Sequence, residues 1–119
     1  AAKRTAVGSL GKSLSKVHAH DLGSNVISET LKFNNLDKNN VDEAIMGQVL
    51  TSACGQNSAR QAAIKSGIPN EKTAYVVNQV CGSGIRSIVS GYQSIKAGDA
   101  NVVVAGGQEK MSVAPHAIH

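Results

Sequence analysis

The apolar and polar positions of this chain fall into blocks whose period changes from one block to the next. Over Ala19–Phe33, residues Leu22, Val26, Ile27 and Leu31 recur near one face with charged residues between them, which predicts an amphipathic helix. Residues 34–40 are polar, rich in Asn, and read as a break. Residues 44–50 contain a short apolar run consistent with a buried strand, and a loop around Gly55 follows over 51–57. Ser58 stands where it could cap a helix over 59–66, because its side chain can accept a bond from a free backbone N–H. Gly67 and Pro69 then stop that helix. Residues 74–78 are β-prone, and Cys81-Gly82-Ser83-Gly84 predicts a sharp turn. Beyond it Ile85, Ile88, Val89, Tyr92 and Ile95 recur at helical spacing up to Gly98. Val102, Val103 and Val104, within 101–105, make a continuous apolar run of the kind found in strands buried on both faces, and Gly106-Gly107 is expected to break it. Helices alternating with continuous apolar strands predict an α/β layer fold.

Composition narrows the picture. The 119 residues fit one domain or part of one. Two Tyr, one Phe and no Trp leave the core to small and β-branched side chains. The net charge of +4 is scattered without a basic run, and aromatics that could stack on bases are nearly absent, so a solvated surface is expected and nucleic acid is not. No apolar stretch approaches the roughly 18–20 residues of a membrane span. The polar, basic opening has no apolar core, so no signal peptide is expected; the absent initiator Met suggests a start inside a longer sequence. The two cysteines, Cys54 and Cys81, form no Cys-x-x-Cys pair, so neither a disulfide scaffold nor a metal site is expected, and a reducing, cytoplasmic setting is.

The chemistry concentrates at Cys81. Residues 76–98 read as strand, Gly-rich turn and helix, with Cys81 where the turn enters the helix. Unpaired N–H groups and partial positive charge at a helix N-terminus favour thiolate over thiol, and can hold an oxyanion when an acyl group is attacked. Gly82 and Gly84 let a substrate approach the backbone closely. The same pattern also suits a small buried hydrophobe, and spacing alone leaves both readings open. His18, His20, His116 and His119 are expected in termini or loops, with solvated or structural roles. Cys54 is expected to be a buried or half-buried small residue.

Several motifs, in order along almost the whole chain, carry a resemblance. They are Arg4-Thr5-Ala6-Val7-Gly8, Met46-Gly47-Gln48-Val49-Leu50, Gly55-Gln56-Asn57-Ser58-Ala59-Arg60-Gln61-Ala62 and Val80-Cys81-Gly82-Ser83-Gly84. Ala97-Gly98-Asp99-Ala100, residues 102–109, Met111-Ser112 and Ala114-Pro115-His116 complete the set. Together they resemble the thiolases. Cys-Gly-Ser-Gly, with Gly-Gln-Asn and Ala-Arg-Gln nearby, is similar to the biosynthetic acetyl-CoA acetyltransferases; the degradative 3-ketoacyl-CoA thiolases more often carry Cys-Ser-Ser-Gly. The resemblance implies a layered α-β-α-β-α fold, of which residues 1–119 are part of the N-terminal half, with a mostly parallel mixed sheet. It implies reversible condensation of two acetyl-CoA to acetoacetyl-CoA and CoA, with Cys81 as the acylated nucleophile and its own N–H helping to hold the oxyanion. Coenzyme A enters as part of the substrate, and no separate cofactor is implied. A homodimer or homotetramer is implied, its subunits pairing along an edge strand at 75–77. The family's activating His in Gly-His-Pro, its second Cys and its Asn-Glu-Ala-Phe asparagine are absent from this sequence, so residues 1–119 alone are expected to be inactive. The alternatives are a degradative thiolase or another acyltransferase of the same fold, and a non-catalytic acyl-CoA-binding or assembly domain. Ser58 in place of Pro, Lys110 in place of Asn, and Cys54 at a small or hydroxylic position depart from the family pattern without touching Cys81.

Overall fold

A computed structural model describes residues 1–118, leaving His119 and its expected role outside the described residues. The chain runs α1 (Ala19–Phe33), β1 (Glu43–Gly47), α2 (Ser58–Lys65), β2 (Thr73–Val77), α3 (Ser83–Ala97) and β3 (Val103–Gly107), with 3-10 turns at Lys38–Asn40 and Met111–Val113. The strand order is β2-β1-β3 and both pairings are parallel. In register, Ala44 lies between Ala74 and Val104, and Gly47 between Val77 and Gly107. The antiparallel member of the expected mixed sheet is not among the described residues.

The alternation of side chains along each strand separates two layers of helix. Ala44, Met46 and Val104 join Ile27 and Leu31 of α1 and Ala59, Ala62 and Ala63 of α2 in one apolar cluster. On the opposite face, Gly91 of α3 lies against Val103 and Ala105. A Cβ at position 91 would come within 2.9 Å of the Val103 side chain, so the absence of a side chain sets the helix-to-sheet spacing. The face that α3 turns to the sheet is therefore small: Ser83, Ser87 and Gly91 are its buried residues. The apolar residues at helical spacing point elsewhere. Ile85, Ile88 and Tyr92 are more than half exposed, and Val89 and Ile95 are exposed as well.

Helix α1 and the end of α3 at Gly98 follow the sequence expectation. Gly98 adopts a left-handed φ of 84°, and the N–H groups of Gly98 and Asp99 close the last turn on Ile95 and Ser94. Three boundaries differ. Asn57, not Ser58, caps α2: its side chain accepts from the Arg60 N–H at 3.0 Å, while the Ser58 hydroxyl donates into the core to Gln48 Oε1. Strand β1 stops at Gly47, because the N–H groups of Val49 and Leu50 turn to the Glu109 carboxylate instead of a neighbouring strand. Gly106 and Gly107 continue β3 in register with Met46 and Gly47; at Gly107 the lack of a side chain suits close packing against Gly84 of α3.

Candidate active site

The carboxyl ends of the three parallel strands form one rim, where open α/β sheets place their ligand crevices. The start of α3 is pressed onto that rim by backbone contact. A Cβ on Gly47 would overlap the Ser83 carbonyl and lie 2.6 Å from the Gly84 nitrogen; one on Gly107 would lie 3.3 Å from the Gly84 Cα. Ser87 fixes the next turn, its hydroxyl donating to Gly106 O at 2.6 Å across the helix-sheet interface, with Gly84 O also within reach at 2.7 Å. Glycines in β1, α3 and β3 thus let the helix N-terminus approach the strand ends without intervening side chains.

Cys81 occupies the turn between β2 and α3, two residues before the first helical position, and is exposed. Two successive turns shape the approach: the Gly82 N–H donates to Gln79 O and the Ser83 N–H to Val80 O. Among the described residues the Cys81 N–H donates to no acceptor, and no side chain hydrogen-bonds to its thiol. The arrangement offers an exposed cysteine with an uncommitted backbone donor at the N-terminal end of a helix, the elements that attack on a thioester requires. Three concavities lie around the N-terminal segment, against α1, β3 and the segment that follows β3.

Behind the rim lies a buried polar network that the sequence did not reveal. Gln48 is 1% exposed. Its Oε1 accepts from Ser58 Oγ at 2.6 Å and Gln108 Nε2 at 3.0 Å, and its Nε2 donates to Leu50 O at 2.8 Å. Glu109 Oε2 accepts from the Val49 N–H at 2.7 Å. The ends of β1 and β3 and the start of α2 are joined in this way, and the loop after β1 is held beside the turn that carries Cys81 through Asn78 Nδ2 and Val49 O. A polar residue directly after each strand was the available signal, but its partner lies sixty positions away along the chain. Cys54 is half-buried on this loop, as expected, with its sulfur 3.5 Å from Gln48 Nε2 and from Leu50 O.

Among the described residues no histidine hydrogen-bonds to Cys81. His20 is not in a loop: it lies inside α1 and is buried, its ring stacked on His18 at 5.2 Å. Burial, then the Lys65 ammonium, hold its pKa below the ordinary imidazole value in spite of Asp21. A neutral, packed His20 suits a structural role. His116 is exposed beyond the second 3-10 turn. Among the described residues no three His, Cys, Asp or Glu side chains are grouped to hold a metal ion.

Residues 1–119 match the sequence profile described as thiolase, N-terminal domain, from end to end. The chain belongs to the thiolase family. It is 52% identical over 118 residues to an acetyl-CoA acetyltransferase of Rhizobium meliloti, and 54% identical over 116 residues to one of Pseudomonas aeruginosa. Those alignments cover 99% and 98% of this chain but 30% of each relative, so the chain spans about a third of the length of the curated relatives it matches. Among solved structures, a thiolase of Ascaris suum in complex with coenzyme A superposes with a TM-score of 0.91 at 39% identity, over 93% of this chain and 29% of that one. The α/β layering expected from the sequence is therefore that of the thiolase fold.

Proposed function

We propose that this chain is the nucleophile-bearing part of an acetyl-CoA C-acetyltransferase, with Cys81 as the residue that is acylated. The observation that carries the reading is the placement of Cys81: an exposed residue on a turn at the carboxyl rim of a parallel sheet, with a backbone N–H unengaged among the described residues, at the start of α3. The names of the similar proteins support acetyl-CoA as substrate, and the coenzyme A complex of the Ascaris suum thiolase supports the same class of ligand. In the first step the Cys81 sulfur bonds to the acetyl carbonyl carbon, the carbon–sulfur bond to coenzyme A breaks, and CoA leaves as its thiol after taking a proton. The Cys81 N–H helps to hold the oxyanion of the tetrahedral intermediate. In the second step another acetyl-CoA loses a methyl proton to a base, and that carbon bonds to the acetyl group. The bond to Cys81 breaks, the thiol regains its proton and acetoacetyl-CoA departs. Splitting the reaction through a thioester makes one difficult step two easier ones and gives ping-pong kinetics.

The proton carriers of this scheme belong to the rest of the longer protein. The purified 1–119 piece is accordingly expected to show no acetoacetyl-CoA thiolysis, with the full-length protein as the active control. Cys81-dependent turnover by the piece would mean that the base lies within these residues.

Labelling gives a direct test of the nucleophile. In the full-length protein, brief iodoacetamide treatment is expected to alkylate Cys81 at least about tenfold faster than Cys54, which is half-buried and flanked by carbonyl oxygens and an amide. Peptide mass spectrometry reads both sites at once, and equal rates would count against the assignment.

No helix among the described residues is long and apolar enough to cross a membrane. A cytoplasmic location belongs to the reading above on another ground, the name of a rat acetyl-CoA acetyltransferase, 47% identical over 118 residues, as cytosolic. So does a homo-oligomer built on β2. This strand ends the sheet, with β1 on one side only. The Gln48 N–H donates to Val77 O, so strand alternation turns the Val76 N–H and C=O outward. Uncharged, unpaired edges invite a second strand. Val76→Pro removes an outward donor while leaving the bonds to β1, a substitution that edge strands tolerate. The expected result in the full-length protein is a shift toward monomer by analytical ultracentrifugation with unchanged circular dichroism; an unaltered oligomer would exclude pairing through this edge.

A further inference from the structure

The residue before Cys81 has a backbone conformation that its side chain opposes. Val80 sits at φ 51°, in the left-handed region, where a β-branched residue is an outlier. The residue is 65% exposed, so packing against neighbours does not hold it there. Side chains on either side of it do. Asn78 Oδ1 accepts from the Val80 N–H at 3.0 Å, and Asn78 Nδ2 donates to Val49 O at 3.2 Å, tying the amide to the chain just beyond β1. From the other side Ser83 Oγ donates to Val80 O at 2.6 Å and accepts from the Gln79 N–H at 2.9 Å. Both polar backbone groups of Val80 are therefore held by side chains, one anchored next to the sheet and one on the first residue of α3. The direction in which Cys81 leaves the strand, and with it the aim of its sulfur and its N–H, depends on this one left-handed step.

We infer that Asn78 is a positioning residue which, with Ser83, holds Val80 left-handed and thereby aims Cys81 at its substrate. The inference rests on the reading of Cys81 as nucleophile. It differs from a merely structural role for Asn78 in one respect. If the amide serves to hold an unfavourable φ, a residue that adopts that φ without strain makes the amide dispensable. Glycine is such a residue.

The test is a double-mutant cycle in the full-length protein with Asn78→Ala, Val80→Gly and the pair, following kcat and KM for acetoacetyl-CoA thiolysis and the alkylation rate of Cys81. Asn78→Ala alone is expected to lower kcat by about 10- to 100-fold, the scale of loss that a 1 Å misplacement of a reacting group can cause, with KM changed less than about twofold. Cys81 alkylation should fall with it. In the Val80→Gly background the same Asn78→Ala change is expected to cost less than about fivefold. A kcat for Asn78→Ala within twofold of the parent overturns the inference. So does a loss of equal size in both backgrounds. If Asn78→Ala fails to fold, the pair decides: a folded, active double variant supports the role, and a double variant that also fails to fold overturns it. Cys81→Ala run beside these variants keeps the two ideas apart. If it stays active, the nucleophile assignment falls, while the alkylation rates still report whether Asn78 and Val80 are coupled.

Discussion

Replacing Cys81 with Ala in the full-length protein is expected to lower acetyl transfer by at least about 10⁴-fold, because removing a covalent nucleophile leaves only binding and oxyanion stabilisation. The fold should survive. Cys81 is exposed, its thiol makes no hydrogen bond among the described residues, and the contacts that set α3 on the sheet run through Gly47, Ser87 and Gly107. The loss should therefore appear in turnover with the thermal midpoint changed by no more than a degree or two. Intact mass spectrometry after mixing with acetyl-CoA gives a second reading, in which the parent gains one acetyl group and the variant none. Residual activity above about one part in a hundred, or acetylation of the variant, would remove Cys81 from its role.

The second large effect is expected from a residue that does no chemistry. Gly47→Ala puts a methyl group into the Ser83 carbonyl and 2.6 Å from the Gly84 nitrogen, all of it backbone. A flexible side chain could swing aside, but the first turn of α3 can only move as a whole. Overpacking of this kind costs about 3 kcal/mol at the upper end of its usual range, and here the atom displaced belongs to the helix that follows Cys81. Denaturant unfolding of the full-length protein should show the stability loss, and thiolysis should fall in the fraction that remains folded. Gly84→Ala provides the comparison. Its added Cβ meets nothing nearer than the Gly107 Cα at 3.9 Å, so a stability change within about 1 kcal/mol is expected. If the two variants unfolded alike, close backbone approach would not be what Gly47 supplies.

How much of this was legible follows from where each signal resides. The helices were readable because their periodicity is local: Leu22, Val26, Ile27 and Leu31 mark α1 without reference to anything else. The turn at Cys81 was readable because its glycines sit together, and the ordered motifs carried the family. The misread boundaries all depend on partners distant in sequence. Ser58 looked like a cap, but Gln48 competes for its hydroxyl. Leu50 looked like strand, yet Glu109 takes its N–H. Gly106-Gly107 looked like a stop, although the missing side chain of Gly107 is what lets the strand end run close against Gly84. Asn78 carried no signal, since it reads as the last residue of the β-prone stretch 74–78 until Val80 is seen at a positive φ.

The strand order has a bearing on when the site comes into being. β1, α2 and β2 follow one another and pair as neighbours, so they can assemble from nearby contacts. β3 reaches the far side of β1 only after the chain has passed β2 and run back through α3, and its start is tethered by Asp42, whose carboxylate accepts from the Val102 N–H sixty positions away. Closing so distant a contact is slow relative to local pairing. Until it closes, Gly107 and Gly106 O are not in place to seat α3, and the free N–H beside Cys81 has no fixed direction. The surroundings of Cys81 are thus a late product of folding, and a refolding experiment should recover helical signal before Cys81 acquires its expected fast alkylation.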